Sequence, residues 1–161
     1  MNKLNSKKGF SLIELLVVIA IIGILSAVGI TAYTGYTASA KEQAARTQFS
    51  QLVSLMNAEF AKCGLGSGDY AWVGTHGTTG ACDATVNAAF ATMVTAYVKD
   101  GLGYKNPYNQ SATDHVATAT LATGTSYKDG NIQITCAASG CTIKQKVKDD
   151  TLLSQNVSKA N

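Results

Sequence analysis

Glu14 is the one ionisable residue in an otherwise apolar run, FSLIELLVVIAIIGILSAVGI, from Phe10 to Ile30. A carboxylate in such a run costs ~2.5–3.5 kcal/mol at mid-bilayer and somewhat less near an interface, so it demands a partner. Four cysteines also have chemical potential: Cys63, Cys82, Cys136 and Cys141. So do three lysines at alternate positions, Lys144, Lys146 and Lys148. The two histidines, His76 and His115, stand singly in polar stretches. Asp114-His115 with a distant serine is a pairing this composition produces by chance. Gly66–Ala71 spells GxGxxA, but it follows a helical pattern rather than a strand, so the phosphate-binding turn is missing. The residues therefore point to no catalysis, no metal and no cofactor.

All four cysteines come after the apolar run. An even count in that position fits disulfides made in an oxidising compartment. Eighteen residues separate the first two and four the last two, unlike the repeated tight spacing of a zinc ribbon. Asn131–Cys136 and Cys141–Lys148 alternate as strands around a four-residue hairpin loop, Ala137-Ala138-Ser139-Gly140. That register sets Ile134 opposite Ile143 and Cys136 opposite Cys141, within reach of a disulfide. Of the three possible pairings the expected one is then Cys136–Cys141 with Cys63–Cys82. The second bond would staple a glycine-rich loop to a helix end, stabilising it by ~3 kcal/mol in the loop-entropy view.

The elements that must position these residues are legible in the pattern. The 21 residues from Phe10 to Ile30, at ~1.5 Å each, give about 31 Å of helix, close to the ~30 Å of a bilayer core. Lys3, Lys7 and Lys8 precede the run and place the N-terminus in the cytoplasm. Without those three, ten basic residues face ten acidic ones, so bulk charge says nothing about nucleic acid. An ordinary secretory signal would end at Ala38-Ser39-Ala40, but its apolar run is usually shorter. A plain membrane anchor explains the length and leaves Glu14 without a reason.

Beyond Ile30 the pattern turns amphipathic. Ala45, Phe49, Leu52, Val53, Met56 and Phe60 recur at helical spacing opposite Lys41, Glu42, Arg46, Ser50, Ser54 and Asn57. One helix over about 10–62 is expected, with Glu42 and Arg46 paired across one turn and Lys62-Cys63-Gly64 as its stop. Tyr33 and Tyr36 fall where aromatics favour a membrane interface. Residues 83–99 read as a second helix, built on Val86, Ala89, Phe90, Met93, Val94 and Tyr97 and capped by Asp83 or Thr85. Lys105–Asn109, with the lone proline, reads as a turn, and His115–Leu121 as a strand. The tail from Asp149 has no clear pattern. Asn109-Gln110-Ser111 and Asn156-Val157-Ser158 match the N-glycosylation acceptor pattern, which is short enough to arise by chance.

The segment Lys7-Lys8-Gly9-Phe10-Ser11-Leu12-Ile13-Glu14-Leu15-Leu16-Val17-Val18 resembles the prepilin motif of type IV pilins and of the pseudopilins of type II secretion. The resemblance is specific over the long helix and covers only the general plan of the remaining chain. It implies cleavage between Gly9 and Phe10 by a membrane prepilin peptidase, and N-methylation of Phe10. It also implies that Glu14 pairs with the Phe10 amine of a neighbouring subunit and so sets axial register. The chemistry is sound without the family, because an unmatched charge in an apolar setting costs ~3–5 kcal/mol. In one respect the chain departs from the family pattern. Gly29-Ile30-Thr31-Ala32-Tyr33 has threonine where the family usually has proline, so the helix should stay unbroken over 28–34.

The expected architecture is α+β, a long N-terminal helix packed under a small antiparallel sheet. It comprises a leader at 1–9, an apolar half-helix at 10–30, an amphipathic half at 31–62 and a globular head at 63–161. The resemblance implies a subunit anchored once in the bacterial inner membrane, then polymerised with copies of itself by inner-membrane assembly machinery into an extracellular pilus. Adhesion, twitching motility and DNA uptake are the roles such filaments serve. The alternatives are a pseudopilin, or an anchored module presenting a DNA-binding or surface-binding head. Lys144, Lys146 and Lys148 would share one strand face, as a solvated edge that discourages strand pairing or as a salt-sensitive contact for DNA or an anionic surface. Mass spectrometry of the exported protein should show a chain beginning at N-methylated Phe10; a start at Lys41 would instead mean an ordinary secretory signal.

Overall fold

A computed structural model describes residues 9–65, 70, 86, 88–111, 116–117, 129–138, 140–148 and 151–158. The first helix, α1, runs unbroken over Leu12–Gly64, continuous through Thr31 as the absence of proline there predicts. The chain divides into two compact units, Met1–Ser39 and Ala40–Asn161.

In the first unit α1 buries nothing. Its apolar side chains from Leu12 to Ile30 are exposed, as are Tyr33 and Tyr36. Three threonines one turn apart fold their hydroxyls back onto the helix. Thr31 donates to the Val28 carbonyl at 2.9 Å, Thr34 to Thr31 at 2.9 Å, and Thr37 to Thr34 at 3.0 Å. Each hydroxyl is thereby satisfied without water, which suits an apolar surrounding.

In the second unit α1 turns amphipathic and buries Ala45, Leu52, Met56, Phe60 and Cys63. The Glu42–Arg46 pair forms at 2.8 Å, half-buried, and as a pair one turn apart on a helix adds only a few tenths of a kcal/mol. Helix α2 spans Ala88–Ala96 and continues into one π-helical turn over Tyr97–Gly101. The helix expected over 83–99 is thus shorter at its start. Val86 is buried but not helical, an apolar residue that serves the core from the approach to the helix. The expected caps Asp83 and Thr85 lie outside the described residues.

Strands β1 (Val116–Ala117), β2 (Ile132–Ala137), β3 (Gly140–Lys146) and β4 (Leu152–Ser158) form one sheet in that order. The hairpin β2–β3 has the expected register, with Ile134 opposite Ile143 and Cys136 opposite Cys141, and that cysteine pair is a disulfide. Two expectations need correction. The strand foreseen over His115–Leu121 is described only at Val116–Ala117, and it runs parallel to β2. Its long connection over 118–131 supplies the dozen or so residues that a parallel return requires. The tail, featureless in sequence, holds β4 in antiparallel pairing with β3. Only Val157 of β4 is buried, so an edge strand with little apolar contact carries no alternation to read.

The core lies between α1, α2 and the inner sheet face of Ile132, Ile134, Cys141, Ile143 and Val157. Phe60 and Phe90 stack at 5.9 Å, and Tyr70 meets Phe90 edge-on at 5.1 Å. Burial, then the nearby Glu59 carboxylate, raises the Tyr70 phenol above its usual value.

The turn after α2 is pinned to the sheet by Asn106, which is buried. Its carboxamide donates to the Asp129 carbonyl at 2.8 Å and to the Asn131 side chain at 2.9 Å. Its Oδ1 accepts the Tyr108 amide at 2.8 Å and the Asn109 amide at 3.2 Å. Gly130 takes φ +82° against this carboxamide, where a Cβ would collide. Asn106→Ala leaves several buried polar groups unmatched and should destabilise the fold by about 2–4 kcal/mol. Urea unfolding in detergent would show this as a lower midpoint with unchanged slope, and an unchanged midpoint would dismiss the staple.

Candidate functional site

Gly9, Phe10 and Ser11 precede α1 in irregular, exposed backbone. Phe10 is 92% exposed, so the Gly9–Phe10 bond is open to a protease that needs extended chain. A Cβ added at Gly9 would meet nothing within 4 Å. No contact among the described residues therefore calls for glycine at that position.

Glu14 occupies the third position of α1 and folds back to the helix start. Its Oε2 accepts the Ser11 backbone N–H at 2.8 Å. This is half of a capping box, in which an acidic residue at the third position satisfies an orphan amide. The sequence signal was present as Ser11-Leu12-Ile13-Glu14, S-x-x-E ahead of an apolar run, but sequence reasoning missed it. The positive end of the helix dipole adds a favourable field. One carboxylate oxygen is thus engaged within the chain, and among the described residues Oε1 remains for a second donor. Glu14 is exposed and shares an open apolar face of the helix with Phe10, Ile13, Val17 and Val18.

The structure brings Phe10 and Glu14 together at this end of α1. It keeps the cysteines in the second unit, where Cys136 and Cys141 are bonded to one another and Cys63 is disulfide-bonded. The expected partner of Cys63, Cys82, lies outside the described residues, as do His76 and His115.

The lysines lie on β3 and just beyond it. That strand is central, between β2 and β4, so they do not guard an edge as one sequence reading had it. Pairing on both sides has consumed the backbone groups that such lysines would protect. Lys144 and Lys146 alternate with buried Ile143, Gln145 and Val147, and Lys146 faces Asp129 at 3.7 Å. The Lys148 amide donates to the Tyr108 hydroxyl at 3.1 Å. Burial raises the Tyr108 phenol, and that donated bond opposes the rise.

Comparison with protein families matches residues 4–30 to the prokaryotic N-terminal methylation motif. The chain carries a type IV pilin-like prepilin signal, and the long apolar helix with its small sheet fits it. The motif implies processing by a prepilin peptidase, and the helix suits an inner-membrane anchor before assembly. Comparison with curated proteins and with solved structures found no match.

Loss of the Glu14 cap should be visible before any assembly. In micelles the Ser11 amide should exchange several-fold faster in Glu14→Ala, in line with ~1 kcal/mol for a cap. Glu14→Gln, which keeps an acceptor, should stay near the native rate. Equal exchange in all three proteins would show that the side chain does not hold this amide.

Proposed function

We propose that the chain is a structural subunit of an extracellular type IV pilus, cut between Gly9 and Phe10 and N-methylated at Phe10. The observation that carries this reading is Glu14, the one ionisable group in an exposed apolar run, with one oxygen capped and the other unclaimed among the described residues. Cleavage would create a positive amine at Phe10, and a neighbouring copy would present that amine to Oε1. The apolar face around Glu14 would give such a pair a low-dielectric setting once lipid or sibling helices cover it. The unpacked glycine at position 9 supports recognition by an outside agent rather than an internal packing need.

The apolar half of α1 supplies adhesion without register, since apolar side chains are equally content among lipids and among sibling helices. The charge pair supplies the register. The disulfides of the second unit suit life outside the cytoplasm, in the periplasm or the medium alike.

Glu14→Ala and Glu14→Gln should both insert normally into the membrane but yield few or no filaments in the sheared fraction and by negative-stain imaging. Gln is the sharper variant, because it retains the cap and removes only the charge. Native filament yield from Glu14→Gln would refute the charge pair as the source of register. Filaments missing from cells that make and process the wild-type chain would refute the pilus reading itself.

A further inference from the structure

We infer that Asn109 is an acceptor for N-linked glycan transfer on the exported part of the chain. Two Asn-x-Ser tripeptides occur, Asn109-Gln110-Ser111 and Asn156-Val157-Ser158, and the fold presents them in opposite ways.

Asn109, Gln110 and Ser111 are all exposed and lie in the turn just after Pro107. The Asn109 Oδ1 accepts the Ser111 backbone N–H at 3.2 Å. This Asx turn closes the carboxamide onto the residue two places on. The oxygen is thereby occupied, while Nδ2 makes no hydrogen bond among the described residues and faces solvent. The turn is also held from below. The Asn109 amide donates to the Asn106 carbonyl and to its Oδ1, each at 3.2 Å, and Asn106 is itself buried and stapled to Asp129 and Asn131. The acceptor is therefore carried on a fixed base with its nucleophilic nitrogen outward.

Asn156 sits in β4 opposite Thr142. Its Oδ1 already accepts the Thr142 hydroxyl at 2.8 Å. Asn156 and Ser158 are exposed, but Val157 between them is buried and all three are paired with β3, so the tripeptide is tied into the sheet. Presenting Asn156 to an enzyme would require β4 to leave the sheet.

The transfer takes a glycan carried on a membrane polyprenyl diphosphate as donor. The bond from sugar C1 to the diphosphate oxygen breaks, and a bond from C1 to Asn109 Nδ2 forms. Nδ2 gives up one proton, and the lipid diphosphate leaves with the bonding electron pair. Exposed Asn-x-Ser turns in exported chains are the substrates such chemistry uses.

The test is glycopeptide mass spectrometry on the chain purified from its own cells, as wild type, Asn109→Gln, Ser111→Ala, Ser111→Thr and Asn156→Gln. The expected result is a glycan mass on the Asn109 peptide in wild type, kept in Ser111→Thr and Asn156→Gln and lost in the other two. Peptide N-glycosidase should release it and leave aspartate at position 109. Ser111→Ala retains the backbone N–H of the turn, so its loss would report recognition of the hydroxyl rather than misfolding. An unmodified Asn109 peptide in wild type would overturn the proposal. So would a glycan on Asn156, or one on a hydroxyl that survives Asn109→Gln.

Discussion

A single carboxylate on an apolar helix is the constraint that governs the first unit. Glu14 must be matched wherever that helix goes, and the chain supplies only half of the match. The Ser11 amide at 2.8 Å and the helix dipole make the carboxylate tolerable in an unassembled subunit. A cap of this kind is worth ~1 kcal/mol, far below the several kcal/mol that a buried charge demands. In the proposed filament the remainder would come from a second molecule. On the proposed reading, that shortfall would give an otherwise featureless apolar rod a preferred axial offset from its neighbour.

From Phe10 to Ser39 there is no other charged side chain to compete with the proposed pairing. The apolar side chains of the run are exposed, and the threonines just past its end hide their hydroxyls. Thr31, Thr34 and Thr37 return theirs to the carbonyls of the preceding turn. Proline at position 31 would have released backbone groups that then need donors. Threonine keeps the helix whole and satisfies itself, which is a different solution to the same apolar environment.

The second unit is stabilised by means that do not involve Glu14. Its core joins Phe60, Tyr70 and Phe90 with the inner face of the sheet. The periphery is closed by Asn106 at one place and by the Cys136–Cys141 disulfide at another. Gly140 belongs to the same closure, because a Cβ there would run into the Val157 and Ser158 backbone of β4. A small sheet with an exposed edge depends on such close approaches, since apolar burial in β4 is confined to Val157.

Sequence alone determined whatever repeats along one element or falls within a few residues. The apolar run, its lone acid and the 3.6-residue spacing of Leu52, Met56 and Phe60 specified α1 almost to its ends. The alternation on both sides of a four-residue loop specified the hairpin, its register and the facing cysteines. The cap at Ser11 was equally local and was overlooked, not hidden. Only tertiary structure decided the parallel placement of β1, the existence of β4, the central position of the lysine-bearing strand and the pinning of Asn106 against Asp129 and Asn131. Each of these depends on contacts between residues far apart in the chain. For β4 and the Asn106 staple, backbone pairing and side-chain hydrogen bonds hold the contact with little burial of apolar surface. Hydrogen bonds of that kind impose no period on composition, so the residues that make them look ordinary until the fold brings their partners to them.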